Sequence, residues 1–474
     1  MSFQTRLLST VTSASEIRIP KLSVLCQYNR QRYPYLLSSS AIRQNNTQYD
    51  ILLAYPQYTL TLNSDKTLSY ENLTSANDEI TPASGFLNTL EKLYQKDKKE
   101  TSVNDNNLPF TGGWFVYLSY EMAAEIEPCL SLPTLPEDQP LAVAARCPLA
   151  IIHDRINHQC IAIAETEYAY LLDELEQDYL LLSKNQGDDP QKDSSDKIEL
   201  ESLIEDDSRP YLSQVEQIKH YIVEGDIFQA NLSRQWQATL KENIDDAELF
   251  NALSKHNPSS FAALACLQKM TIISSSPERL VSAKNGIVET RPIAGTRPRD
   301  ANQQSDEALA KELLAHPKEQ AEHIMLIDLE RNDLGRVCRP GTIEVNELMV
   351  LETWEHVHHI VSNVRGELDK DKSPIDVLRA VFPGGTITGC PKVRCIEILA
   401  EMEQQPRGAY TGSLGYINTD GSMDFNILIR TMVRHENTLT FRAGGGIVSD
   451  SIAKNELEET RAKAKGLLKI FNLQ

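Results

Sequence analysis

Two pairs of carboxylates stand out in the second half of the chain. Glu319 and Glu322 are three residues apart, and so are Glu456 and Glu459. On a helix that spacing puts both members of a pair on one face. Two such faces meeting would make a hard-oxygen site suited to Mg²⁺, which takes few carboxylates, several waters and a ligand oxygen. A single pair is also what any solvated helix face offers. Two glycine-rich runs read as turns, Pro383-Gly384-Gly385-Thr386 ahead of a helix and Gly444-Gly445-Gly446 after a strand. Their backbone N–H groups could cradle an anion, although tight turns without a ligand use the same residues. Fixed cations stand near both runs: Lys392, Arg394, Arg430, and Lys463 one turn past Glu459. An arginine can take a carboxylate through two parallel hydrogen bonds. Arg430 interrupts what reads as an apolar strand and so needs a partner. His356, His358 and His359 cluster with separations of two and one and no cysteine beside them, a poor pattern for zinc. An acid or hydrogen-bond donor is the better functional reading, and a packed, satisfied histidine fits the local sequence equally.

The elements that must position these groups change character along the chain. Residues 22–180 read as short strands and loops with some helix, as in Asp50-Ile-Leu-Leu-Ala-Tyr55 and Leu141-Ala-Val-Ala-Ala145. Residues 184–208 are polar and acidic and read as a linker or solvated loop. Beyond it, Ser213-Gln-Val-Glu216 fits a capping box, with Val215, Ile218 and Ile222 at helical spacing. Met270–Ser274 and Asn426–Val433 read as strands, Asp420-Gly421 as a hairpin turn, and Pro391–Met402 and Glu456–Phe471 as helices. The expected division is therefore 1–183, a linker 184–208, and a catalytic region 209–474.

Composition narrows the class. The 474 residues are 41% hydrophobic and 24% charged, as in an ordinary globular protein. A formal net charge of -20 speaks against a nucleic-acid or acidic-membrane binder, and an anionic substrate would need a locally positive or metal-bearing site. Eight scattered cysteines without a CxxC pair, and no apolar h-region or long apolar run, lead to the expectation of a cytoplasmic protein with reduced thiols. There is no P-loop, GxGxxG or GxSxG, and no cysteine in a nucleophile elbow, so glutamine hydrolysis is not expected from this chain.

Longer stretches carry a resemblance. They are Gly225-Asp-Ile-Phe-Gln-Ala-Asn-Leu-Ser233, Ser275-Ser-Pro-Glu-Arg279, Arg291-Pro-Ile-Ala-Gly-Thr296, Asp328-Leu-Glu-Arg-Asn-Asp333, Pro383-Gly-Gly-Thr-Ile-Thr-Gly-Cys-Pro-Lys392 and Ala443-Gly-Gly-Gly-Ile-Val448. In this order they resemble the chorismate-utilising enzymes. Pro34-Tyr-Leu-Leu-Ser-Ser39 and Phe110-Thr-Gly-Gly-Trp-Phe-Val-Tyr117 resemble the family's N-terminal region. The resemblance implies an α/β fold with two large antiparallel sheets packed as a sandwich and helices outside. It implies Mg²⁺ on Glu322 and Glu459 with Glu319 and Glu456 beside them. Catalytic roles fall to His359, to Glu278 as acid or base, and to Gln229 and Asn231. Thr386, Tyr410, Arg430, Gly444, Gly445, Gly446 and Lys463 fall around the carboxylates of chorismate.

Members that add water resemble this chain but carry a lysine base at the position of Gln229, so an amine nucleophile, ammonia, is expected here. Within the aminating branch, three features resemble the aminodeoxychorismate synthases of para-aminobenzoate and folate biosynthesis more than the anthranilate synthases. They are Gln229-Ala-Asn231, Leu36-Leu-Ser38-Ser39 without the feedback motif's glutamate, and Asn257-Pro-Ser-Ser-Phe-Ala262. Ala294 departs from a lysine found in some of them. The branch implies a separate glutaminase subunit as partner. Ser39 is the residue through which tryptophan could bind. A non-catalytic tryptophan sensor is the alternative of another class.

Overall fold

The computed structural model describes residues 3–10, 21–39, 49–72, 84–99, 108–185, 198–300, 302–353 and 357–473. His356 lies outside the described residues. Two antiparallel sheets, 12-stranded and 11-stranded, form the framework of the fold. Tyr35 of the first sheet stacks on Phe115 of the second with ring centroids 3.8 Å apart. Ile51, Ile152, Ile272, Tyr117, Val143 and Leu414 fill the same interior layer. Strands such as Ala142–Cys147 and Ser413–Asn418 are buried at every position, because the sheet's other face is covered by helices. The helices Phe86–Asp97 and Pro374–Val381 pack there, each through an apolar face.

The two halves of the sequence share both sheets. Tyr35–Ser38 pairs with Phe261–Cys266 in one sheet, and Gly113–Leu118 pairs with Ser413–Asn418 in the other. The hairpin at Asp420-Gly421 forms as expected, with Gly421 at φ 89° joining Ser413–Asn418 to Met423–Asn426. The two C-terminal helices run Lys392–Glu403 and Ala453–Leu468.

Four local expectations are corrected. Asn426–Val433 is two strands in two different sheets: Met423–Asn426 ends in the second, and Thr431–His435 begins in the first. Both ends are apolar because both lie in the sandwich, so hydropathy alone hides the crossover. The capping box at Ser213 is not used. The helix is Ser208–Val223, and the Asp207 side chain caps it by accepting from the Arg209 N–H. Within the acidic segment, Leu200–Glu205 is an edge strand on Gln229–Leu240, most of it exposed although it carries Leu200, Leu203 and Ile204. Finally, Gly444–Gly446 are not a turn after a strand but part of the strand Thr438–Ile447, paired with Asn231, Leu232 and Ser233.

Candidate active site

The strand pair Gln229–Leu240 and Thr438–Ile447 forms one wall. A Cβ at Gly446 would lie 2.0 Å from Gln229 Nε2, and one at Gly444 would lie 2.5 Å from the Leu232 carbonyl and 2.8 Å from Asn231 Oδ1. The glycines therefore let two amide side chains lie against the opposing backbone. Gly445 is different: Glu459 Oε1 and Glu456 Oε2 lie 3.4 and 3.6 Å from its would-be Cβ, so this carboxylate pair shares one face of the Ala453–Leu468 helix. Lys463 donates to the Gly444 carbonyl at 2.8 Å and pairs with Glu459 at 2.8 Å.

The turn holding Thr386 closes over this wall. Asn231 Nδ2 donates to the Thr386 carbonyl, and Asn231 N–H donates to the Thr388 carbonyl at 2.9 Å. Glu278 follows the strand Thr271–Ser276 and is buried. Burial pushes its carboxyl up to about 7, against the pull of the Thr386 hydroxyl, the Ile293 backbone, and the charges of Arg430 and Lys463. The carboxyl is thus poised to hold or release a proton near neutrality. His359, on the strand Val357–Glu367, bonds through Nδ1 to the Thr296 hydroxyl at 2.8 Å. Burial first, and then Arg430, push its pKa down to about 4, so it is a neutral imidazole. Tyr410 is buried, which pushes its phenol up to about 12.

Arg430 sits at the crossover between the sheets. Its φ of 51° is left-handed, a conformation that costs a non-glycine residue roughly 1–3 kcal/mol and that clusters at functional sites. Its carbonyl accepts from the Ser275 N–H, while its guanidinium forms no ion pair among the described residues. The partner that the sequence demands for it is therefore not supplied by a described carboxylate. Gln229 Oε1 and Asn231 Oδ1 are buried and likewise without a hydrogen-bond partner, and Glu278 Oε1 and Thr386 Oγ1 have none beyond the approach of these two side chains to each other. Such atoms cost stability unless a ligand or water satisfies them, and all four belong to residues singled out from the sequence.

The other carboxylate pair lies on the helix Pro317–Gly335. Glu319 faces Gly295, where a Cβ would lie 2.8 Å from its Oε2, and it pairs with Arg297 at 3.3 Å. Gly295 adjoins Thr296, which holds His359. Glu322 is half-buried on the same helix. Among the described residues no three acidic, histidine or cysteine side chains form a ready-made metal cage. The donor set nonetheless has the chemistry of Mg²⁺, an ion that takes one or two carboxylates and completes its shell with water and ligand oxygens.

Other candidates have different duties. Lys392 pairs with Asp333 at 2.6 Å and donates to the Val381 carbonyl, and Arg394 pairs with Asp226 and Glu397. Neither is free to take an anion. His358 bonds to Thr353 and Asp306, as a structural histidine does. Glu330, which sequence reasoning missed, is buried against the Gly385 turn; burial, and then the charge of Asp333, push its carboxyl up. Its place within Asp328–Asp333 was the available signal.

Ser39 lies apart from this wall. It is buried, its hydroxyl has no partner, and its N–H donates to Asp50. It lines a cavity of about 590 Å³ together with Phe261, Tyr416, Asp424, Arg279 and Arg291. Pro277 also lines it, so the cavity and Glu278 meet at one short segment.

The family profile described as chorismate binding enzyme matches residues 34–469. An anthranilate synthase component I-like protein of Synechocystis is 42% identical over 76% of this chain and 73% of its own length. The aminodeoxychorismate synthase component 1 of Bacillus subtilis is 48% identical over 55% of each chain. Among solved structures, anthranilate synthase component I from Streptococcus pneumoniae superposes with a TM-score of 0.76 at 28% identity, over 97% of this chain and 99% of that one.

Proposed function

The chain belongs to the chorismate-binding enzyme family, and from that premise we propose that it aminates carbon 4 of chorismate, as the synthase component of an aminodeoxychorismate synthase. Ammonia would come from a separate glutaminase subunit. The observation that carries amination is Gln229, an amide where the resembling water-using enzymes hold a lysine base; amination at carbon 4 rests on Asn231, on Ser38 in place of the feedback motif's glutamate and on Asn257–Ala262. Gln229 lies against Gly446 with its Oε1 buried and unpartnered. An amide cannot deprotonate water, whereas ammonia attacks without prior deprotonation.

Arg430 and Lys463, with Thr386, Tyr410 and the backbone of Gly444–Gly446, would take the two carboxylates of the substrate. That supplies positive charge locally in a chain of net charge -20. Glu322 and Glu459, helped by Glu319 and Glu456, would hold Mg²⁺. When bound, the metal neutralises the ring carboxylate and withdraws electron density from the ring. Glu278 delivers its proton to the departing 4-hydroxyl, which leaves as water. Neutral His359, fixed by Thr296, serves as a hydrogen-bond donor and not as a cationic acid. Ammonia forms the new carbon–nitrogen bond and then returns a proton to the Glu278 carboxylate, which restores the acid, and the enolpyruvyl ether is retained.

The experiment is chorismate consumption by the purified chain with Mg²⁺, with and without ammonium, in mildly alkaline buffer. Consumption only with ammonium supports amination; equal consumption without it, giving a hydroxylated isomer, contradicts it. Anthranilate synthesis is the second reading, favoured by Ala294, which leaves no lysine at that buried position. For a non-catalytic sensor, the buried acid Glu278 and the unpaired Arg430 would be costs without a purpose. Tryptophan is proposed as the occupant of the cavity at Ser39.

A further inference from the structure

Arg407 is not among the residues that the sequence singles out, yet three segments of the site end on it. Its side chain is 1% exposed and pairs with Glu403, itself 3% exposed, four residues earlier at the end of the helix Lys392–Glu403. The guanidinium donates from Nε to Glu403 Oε2 at 2.9 Å and from Nη2 to Glu403 Oε1 at 2.8 Å. Nη2 also donates to the Asn231 carbonyl at 2.6 Å. Nη1 donates to the Ile387 carbonyl at 3.2 Å and to the Thr411 hydroxyl at 3.3 Å. An arginine has five N–H donors, and here each has an acceptor. Arg407 therefore has nothing left with which to bind a substrate.

We infer that Arg407 is a positioning residue whose planar fork sets the mutual placement of three substrate-facing segments, Gln229–Asn231, Thr386–Ile387 and Tyr410–Thr411. Apart from Glu403, each guanidinium contact falls on a site residue or on its immediate neighbour: on Asn231, on Ile387 beside Thr386, and on Thr411 beside Tyr410. A charge pair buried only for stability has no reason to spread its bonds in this way, and hydrophobic side chains often replace such pairs without loss. The fork is itself held from behind. Glu403 also accepts from Ser233 N–H at 2.9 Å and Ser233 Oγ at 2.8 Å, which ties the pair to the strand carrying Gln229. The Arg407 N–H donates to Glu121 at 2.7 Å, and the Tyr120 ring lies 4.6 Å from the guanidinium carbon.

This inference rests on the proposed function only for which ligand is positioned. The test uses the full chain carrying Arg407→Lys. This variant keeps a cation opposite Glu403, but one ammonium cannot reach all three segments. Amide hydrogen exchange is compared with the wild type in segments 229–233, 384–390 and 408–412, with the distant strand Leu149–Asp154 as control. Exchange about tenfold faster in the three segments and unchanged in the control is expected. Alongside it, KM for chorismate should rise about tenfold with a smaller change in kcat. Glu403→Gln, which loosens the same fork while keeping its volume, should give the same pattern more weakly and serves if the lysine variant does not fold. Unchanged exchange in the three segments, or equal acceleration in the control strand, would overturn the positioning role. A wild-type chain that does not consume chorismate would sink the proposed function instead, leaving the exchange pattern to decide the role of Arg407.

Discussion

Glu278 and Arg430 are the two residues at which stability and chemistry oppose each other. Burial holds the folded-state pKa of Glu278 near 7, above the ordinary 4.5. The fold thus favours the protonated form: this contribution is fully present below about pH 4.5 and is lost as pH rises to about 7. Above that, the buried charge costs on the order of 3 kcal/mol. Glu278→Gln should therefore raise the melting temperature at about pH 8 while lowering kcat by about 10²–10⁴-fold, the usual contribution of a general acid. Calorimetry and chorismate turnover on the same sample check both halves. Arg430→Gly should remove the cost of the left-handed backbone and hold or raise stability by about 1 kcal/mol. It should also weaken chorismate binding by about tenfold or more, as the loss of charge-assisted hydrogen bonds does. A calorimetric titration with chorismate reads the second effect. At this scale the sequence was informative in two ways: an arginine in an apolar run announces itself by type, whereas Glu278 is picked out only by the resemblance of Ser275-Ser-Pro-Glu-Arg279. The sequence could not say that His359 is neutral, since that depends on its burial and on the charge of Arg430.

At the scale of elements, what was legible was periodic. The helices Lys392–Glu403 and Ala453–Leu468 and the hairpin at Gly421 follow from spacing and turn chemistry. What was not legible was sidedness. The crossover at Ile427–Arg430 joins two buried strands of different sheets, and a continuous apolar run looks the same either way. The Gly444–Gly446 run was misread as a turn because glycine reports only that space is tight, not why. The structure supplies the reason and a contrast to test. At Gly446 the crowded atom is the far end of Gln229, so Gly446→Ala should displace that side chain and cut kcat/KM by about tenfold or more with little change in stability. At Gly444 the crowded atom is the Leu232 carbonyl, so Gly444→Ala should push two strands apart and destabilise by about 1–3 kcal/mol. Thermal melts and kinetics of the two variants should separate cleanly; equal melting temperatures would contradict the contrast.

At the scale of the whole molecule, the division at 184–208 does not mark two independent folding units. Each sheet joins a block of strands from before it to a block from after it, at Tyr35–Ser38 against Phe261–Cys266 in one and Gly113–Leu118 against Ser413–Asn418 in the other. Fragments 1–183 and 209–474 expressed separately should each lack cooperative unfolding and should regain it when mixed, if at all; a cooperative melt of either alone would contradict the shared sheets. The site draws on both sheets near the crossover, and among the described residues it keeps the buried acid Glu278, an arginine without an ion pair and the unpartnered amide oxygens of Gln229 and Asn231 within a strongly acidic chain. The central claim is that this constellation aminates chorismate and retains its side chain. Product analysis with ammonium and Mg²⁺ tests it most directly, following pyruvate and anthranilate fluorescence, with mass spectrometry of the ring product. Aminodeoxychorismate without pyruvate is the expected result. Anthranilate with equimolar pyruvate would contradict it and make the chain an anthranilate synthase component.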